Sequence, residues 1–76
     1  MKIEYTSENG YRGIMSPGNF LGFKHWDLSI FDPDGKFVYH ATLEEKLPTD
    51  EFVERVDEFP QFRQMLLSKY ERKEDK

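Results

Sequence analysis

Apolar and polar residues alternate from the first positions of the chain. In KIEYT, residues 2–6, Ile3 and Tyr5 point one way and Lys2, Glu4 and Thr6 the other. That period of two is the mark of a half-buried strand. SENG follows, then YRGIMS. Asn9-Gly10 suits a two-residue type I′ turn, because both residues tolerate positive φ. Such a turn pairs Glu8 with Tyr11 and sets Tyr5 across from Ile14. Ile3, Tyr5 and Ile14 are then expected on one buried face. The Pro-Gly and Asn content of SPGNF, residues 16–20, predicts a loop. LGFKHWDLSIF predicts a long strand, clearest from His25 to Phe31, where Trp26, Leu28 and Ile30 alternate with His25, Asp27 and Ser29. KFVYHATL is its return strand.

Between these two strands lies Asp32-Pro33-Asp34-Gly35. An EF-hand calcium loop also opens with alternating acids, but it needs a third oxygen at its fifth place, Gly at the sixth and a bidentate Glu at the twelfth. Counted from Asp32, the fifth place is Lys36, the twelfth is Leu43, and the glycine comes at the fourth. Turn chemistry accounts for each residue instead. Asp32 can bond the backbone two residues on, Pro33 presets φ, Asp34 suits the third position, and Gly35 supplies positive φ for a closing bulge. A three-residue loop of this kind pairs Phe31 with Phe37, Ile30 with Val38 and Leu28 with His40. One face then holds Trp26, Leu28, Ile30 and Val38; the other holds Phe31, Phe37, Tyr39, Ala41 and Leu43. A four-residue loop would set Trp26, Leu28 and Ile30 beside Phe37, Tyr39 and Ala41 and leave the second face polar. A one-residue slip carries every side chain to the opposite face, so the choice decides where the aromatic rings lie.

From Glu44 onward the period changes to that of a helix. Thr49 is the expected N-cap after Pro48, with Asp50 and Glu51 in the first turn, where the helix dipole favours acids. Phe52, Val53, Val56 and Phe59 form a core stripe, with Asp50, Glu54, Asp57 and Glu58 on the opposite side. Pro60 breaks the run and can open a second helix. Phe62, Met65, Leu66 and Tyr70 form a second stripe. Strands followed by helices predict an α+β fold: a four-stranded antiparallel sheet, two hairpins in series, with two C-terminal helices packed on one face. Residues 1–70 are expected to be a single domain, and 71–76 a charged, frayed tail.

Composition narrows the function. A chain of 76 residues is one domain at most. So short a chain buries only about 60% of the surface its unfolded form exposes. Its seven Phe, four Tyr and one Trp compensate, because large rings bury much area each. The absence of cysteine rules out disulfides, thiol nucleophiles and zinc–thiolate sites, and fits a reducing compartment. With no apolar run of signal-peptide or membrane-spanning type, a cytoplasmic protein without membrane contact is expected. Net charge is −4, yet residues 44–58 hold seven acids against two bases. Phosphate binding needs clustered Lys and Arg, and none occurs before the tail, so direct nucleic-acid binding is not expected. The ordinary meaning of the acidic run is a solvated helix face.

Little else resembles chemistry. There is no Gly-rich phosphate loop and no GxSxG elbow. His25, Asp27 and His40 share the central hairpin and could orient a general base or supply three metal ligands. No nucleophile accompanies them at motif spacing, so they are read as half-exposed strand residues. No catalytic residue, cofactor or metal is assigned, and an enzyme is not expected. Trp26 is assigned to the core by its phase with Leu28 and Ile30. Phe31, Phe37 and Tyr39, on the face away from Trp26, are the expected binding surface for a protein partner or a second copy. The expected function is a small interaction domain, accessory or regulatory. The alternative is an inhibitor that imitates nucleic acid, with Asp50, Glu54, Asp57 and Glu58 entering the basic groove of a DNA- or RNA-handling enzyme.

Overall fold

A computed structural model describes the backbone of residues 1–74 and the side chains of residues 1–69. Four strands, β1 (Ile3–Thr6), β2 (Arg12–Phe20), β3 (Phe23–Phe31) and β4 (Phe37–Leu43), precede two helices, α1 (Thr49–Asp57) and α2 (Phe59–Glu74). The strands form one antiparallel sheet in the order β1-β2-β3-β4. The core joins Met15 and Leu28 of the sheet to Phe52 and Val56 of α1, all at most 1% exposed. The fold is α+β, with both helices C-terminal to the sheet, as the order of patterns predicts.

The two turns at one end of the sheet share one construction. The Asp32 N–H donates to the Lys36 carbonyl and the Gly35 N–H to the Asp32 carbonyl, both at 2.8 Å. Gly35 sits at φ +87°, and Asp32 Oδ1 also takes the Lys36 N–H at 2.9 Å. In the first hairpin the Ser7 N–H donates to the Tyr11 carbonyl at 2.8 Å, the Gly10 N–H donates to the Ser7 carbonyl at 3.0 Å, and Gly10 has φ +92°. Ser7 Oγ takes the Tyr11 N–H at 3.2 Å, as Asp32 does for Lys36. The loop is therefore Glu8-Asn9-Gly10, one residue longer than the two-residue turn suggested by Asn-Gly. The register moves with it: Ile3 pairs with Met15 and Tyr5 with Gly13. Met15, not Ile14, joins Ile3 and Tyr5 on the buried face.

Gly35 has open space where a Cβ would project, so its need for glycine is conformational alone. Gly35→Val is expected to cost about 1 kcal/mol or more, since a β-branched residue resists positive φ. Calcium should leave the thermal midpoint unchanged. A calcium-dependent rise of several degrees would show that the loop binds the ion after all.

Residues 16–20 are strand, not loop. β2 runs through Pro17 to Phe20, Leu21-Gly22 makes the turn with φ of 53° and 85°, and Phe20 pairs with Phe23. A two-residue turn makes Phe20–Phe23 a hydrogen-bonded pair, so Pro17 directs its nitrogen away from β3. On that side β1 has already ended, with Ile3 opposite Met15. The missing N–H therefore costs no ladder bond, which is the condition for proline in a strand.

The β3–β4 pairing takes features of both expected registers. Phe31 pairs with Phe37, as the three-residue loop requires. A bulge follows, and from Ile30↔Tyr39 through Leu28↔Ala41 to Trp26↔Leu43 the strands are offset by one. Tyr39, Ala41 and Leu43 thus share the face of Trp26, Leu28 and Ile30. The bulge resolves a conflict: the turn dictates the pairing nearest to it, and burial of the apolar set dictates the rest.

Helix α1 starts one residue earlier than expected, with Thr49 inside it. Pro48 stands at the N-cap without a side-chain hydrogen bond. Phe52, Val56 and Phe59 are buried at 0–3% exposure, while Glu54 points to solvent. The helix ends at Asp57 and α2 begins at Phe59, with Pro60 in its first turn. The second stripe is looser than its pattern implies, since Phe62 is 37% and Met65 53% exposed. Leu66 is half-buried, and the Tyr70 side chain lies outside the described residues. Of the expected tail, 71–74 continue the helical backbone, and 75 and 76 lie outside the described residues.

Candidate functional site

The face of the sheet opposite the helices is read from the register. Arg12, Ile14, Ser16, Gly18 and Phe20 of β2 lie beside Phe31, Ser29, Asp27, His25 and Phe23 of β3, and His40 and Thr42 of β4 lie beside Ser29 and Asp27. Near the turn end, the rings of Phe31 and Phe37 meet at 5.6 Å, and the Arg12 guanidinium lies 5.1 Å from the Phe31 centroid. Phe37 is 58% exposed. Guanidinium and ring attract through the quadrupole of the ring. The expected aromatic trio is thereby divided. Phe31 and Phe37 stand together on the open face, but Tyr39 is on the other side, 5.5 Å from Phe59 and 5.7 Å from Phe62. The bulge at Ile30/Phe31 is the cause, because it reverses the sidedness of everything beyond it.

At the centre of the same face, Asp27 receives two imidazoles. His25 Nε2 lies 3.3 Å from its Oδ2 and His40 Nε2 3.1 Å from its Oδ1. His25 leans across Gly18, where a Cβ would stand 2.5 Å from Nε2. The three residues are assembled by strand register, as their positions suggested. The imidazoles use different carboxylate oxygens, and among the described residues no group of three or more His, Cys, Asp or Glu side chains is arranged to hold a metal ion. Together they make a polar bridge between β3 and β4.

The far end of the sheet carries Phe20, which the pattern analysis assigned to a loop, and Leu21 and Phe23, which it assigned to the following strand. Phe20, Leu21 and Phe23, at the tip of the β2–β3 hairpin, are 68%, 81% and 75% exposed. The signal was present in NFLGFK, where two rings flank Leu-Gly in a two-residue turn, but Pro17-Gly18 obscured it. On the helix side, a groove of about 450 Å³ lies between β3–β4 and the helices. Leu28, Ile30, Tyr39, Phe59, Phe62 and Met65 form its apolar walls, with Arg55 and Glu58 among its polar lining.

The acids of α1 form the remaining candidate. Asp50, Glu54, Asp57 and Glu58 are all exposed. Asp57 is not free: Tyr5 donates its hydroxyl to Oδ1 at 2.8 Å, tying β1 to the helix. That bond, a small desolvation and the nearby Asp57 and Glu8 charges raise the Tyr5 pKa above the ordinary tyrosine value. The folded state thus holds the phenol proton more tightly than the unfolded chain does. Its contribution to stability is complete below about pH 10, the ordinary tyrosine value, and is lost as pH rises through the higher folded value. Titration of the Tyr5 ring resonances should give a midpoint above that of free tyrosine, returning toward it in Asp57→Ala. An unshifted midpoint in the native protein would remove the hydroxyl–carboxylate bond from the account.

The fold and its surfaces define a small α+β domain: an antiparallel four-stranded sheet with helices on one face and an open, aromatic-bearing face on the other. No family model, no curated protein and no solved structure matches the chain. No described helix is long and apolar enough to cross a membrane.

Proposed function

We propose that this chain is a small cytoplasmic domain that acts through protein–protein contact, as a non-catalytic accessory or regulatory factor. Its contact surface is the open sheet face. The observation that carries the reading is the exposed Phe37 and Arg12 packed against a half-buried Phe31 on the face away from the helices. Aromatic and Arg side chains dominate binding energy where a partner desolvates them. Tyr39 leaves the proposed surface and Arg12 enters it. The cytoplasmic setting rests on the absence of cysteine, which fits a reducing compartment.

The acidic alternative is kept because Asp50, Glu54 and Glu58 extend along the exposed side of α1. Affinity capture from the native cell at two salt concentrations separates the readings. Phe31→Ser/Phe37→Ser is expected to lose the captured partner while remaining folded by circular dichroism. Glu54→Lys, which leaves the Tyr5–Asp57 bond intact, should retain it, with little dependence on salt. Loss on charge reversal, with capture by the native chain falling steeply as salt rises, would favour the nucleic-acid mimic.

A further inference from the structure

Helix α2 is gripped near its start. Its first residue, Phe59, is 3% exposed, and the Phe59 ring lies 5.7 Å from Tyr11 and 5.5 Å from Tyr39. Further along, apolar contact loosens: Phe62 is 37% exposed, and Met65 and Leu67 are each 53% exposed. The other hold is polar. Arg63 donates from Nη1 to the Tyr11 hydroxyl at 3.0 Å, and the same nitrogen lies 3.9 Å from Asp32 Oδ2. Among the described residues, no side-chain hydrogen bond or ion pair ties a later residue of α2 to the sheet. The part of α2 past its first turn is shorter than the 16 residues of the whole. A helix of that size is marginal in water without tertiary support.

The acceptor has its own need for Arg63. Asp32 is 8% exposed, and a carboxylate withdrawn from water requires hydrogen bonds and a counter-charge. Its Oδ1 takes the N–H groups of Asp34 and Lys36 at 3.0 and 2.9 Å. Among the described residues, Arg63 is the one cation within 4.0 Å of Oδ2. The two hairpin turns also abut at this point, since a Cβ on Gly10 would stand 3.1 Å from Pro33 Cβ. One guanidinium therefore serves both hairpins, through Tyr11 after the first turn and Asp32 in the second.

We infer that α2 past Phe59 is a releasable lid over the groove it shares with β3–β4, and that Arg63, held by Tyr11 and Asp32, is its latch. On release the lid turns about Phe59, which stays in place. Phe62 leaves Tyr39, Met65 leaves the groove wall, and the unsupported helix unwinds. The sheet and α1 keep their packing, because Met15, Leu28, Phe52 and Val56 form their core without a residue of α2. The lid lies on the helix side of the sheet, so it stands or falls apart from the Phe31–Phe37 surface.

Native-state hydrogen exchange of the full chain, read residue by residue, tests the latch. The amides of residues 63–70 should exchange through one shared opening, more frequent and less sensitive to denaturant than the opening that frees Met15, Leu28 and Val56. Arg63→Ala should speed exchange over 63–70 by roughly tenfold, the scale of one charge-assisted hydrogen bond. Tyr11→Phe, which keeps the ring on Phe59, and Asp32→Asn, which keeps an acceptor for the turn, should each speed it as well. Arg63→Ala/Asp32→Asn should be no faster than Arg63→Ala alone, because Asp32 acts on the lid through Arg63. Ile3→Val supplies the contrast. It weakens the sheet away from α2, so it should speed the core amides and leave 63–70 unchanged, since the released state keeps the sheet. The inference is overturned if 63–70 open together with the core, or if Ile3→Val speeds both sets equally. It is overturned equally if protection fades evenly from the C-terminal end and Arg63→Ala leaves it unaltered, which is ordinary fraying, or if the Arg63 and Asp32 effects add.

Discussion

Phe52→Ala is expected to unfold this protein or bring it to the edge of unfolding. Phe52 is 0% exposed and lies in the cluster that joins α1 to the sheet through Met15, Leu28 and Val56. Truncating a buried phenylalanine costs about 3–5 kcal/mol, the lost transfer energy plus the cavity left behind. A single core in a chain below about 80 residues rarely supplies more than that. No disulfide offsets the loss, since the chain has no cysteine. Glu54→Ala, two residues along the same helix but facing solvent, should stay within about 0.5 kcal/mol of the native stability. Chemical denaturation of the two variants side by side is the measurement. Comparable losses would mean that α1 presents a different face to the sheet.

Gly13→Ala should be nearly as damaging, although it adds one methyl group to a strand. A Cβ at Gly13 would stand 2.4 Å from Val56 Cγ2, with the Phe52 ring at 3.2 and 3.3 Å. Neither neighbour yields easily. Val56 is 0% exposed and, like all β-branched residues in a helix, is confined to few rotamers. Overpacking of this kind costs about 1–3 kcal/mol and sometimes more. Gly18→Ala is the informative contrast. Its Cβ would also meet an atom at 2.5 Å, but that atom is Nε2 at the far end of the His25 side chain. Asp27 Oδ2 would stand at 2.8 Å as well, but both are the far ends of partly exposed polar side chains that can swing aside, so the expected result is loss of the His25–Asp27 contact and little loss of stability. A double-mutant cycle completes the case. If Val56 is the obstacle, Gly13→Ala/Val56→Ala should be more stable than the two single effects predict by addition. Strict additivity would place the strain elsewhere.

These two results would establish why the helices lie where they do. Gly13 lets α1 approach β2 closely, and Phe52 and Val56 fill the space above it beside Met15. The opposite face is left open, and the aromatic cluster proposed for partner binding depends on that. Cover on one face and a proposed contact on the other thus follow from a single packing arrangement. The groove beside α2 has the same origin, since α1 packs on Gly13 and Met15 and leaves the β3–β4 side to the looser second helix.

What the chain determined by itself was local. Asp32-Pro33-Asp34-Gly35 specifies its turn because each residue satisfies a backbone requirement within four positions. The stripe of Phe52, Val56 and Phe59 and the break at Pro60 are equally local, set by helical period and by a missing N–H. Ser7-Glu8-Asn9-Gly10 carried the same turn signal as the second hairpin, though the Asn-Gly pair suggested a shorter loop. The tertiary structure decided everything that depends on a neighbour distant in sequence. Pro17 can lie within a strand only because β1 stops short of it. Tyr39 turns inward because the apolar residues of β3 needed partners beneath the helices, and a bulge costs less than burying His40 in their place. Phe20, Leu21 and Phe23 stay exposed because no other element reaches the tip of their hairpin. Pattern within a segment records which side chains face the same way; which of those faces is covered is settled only when the segments meet.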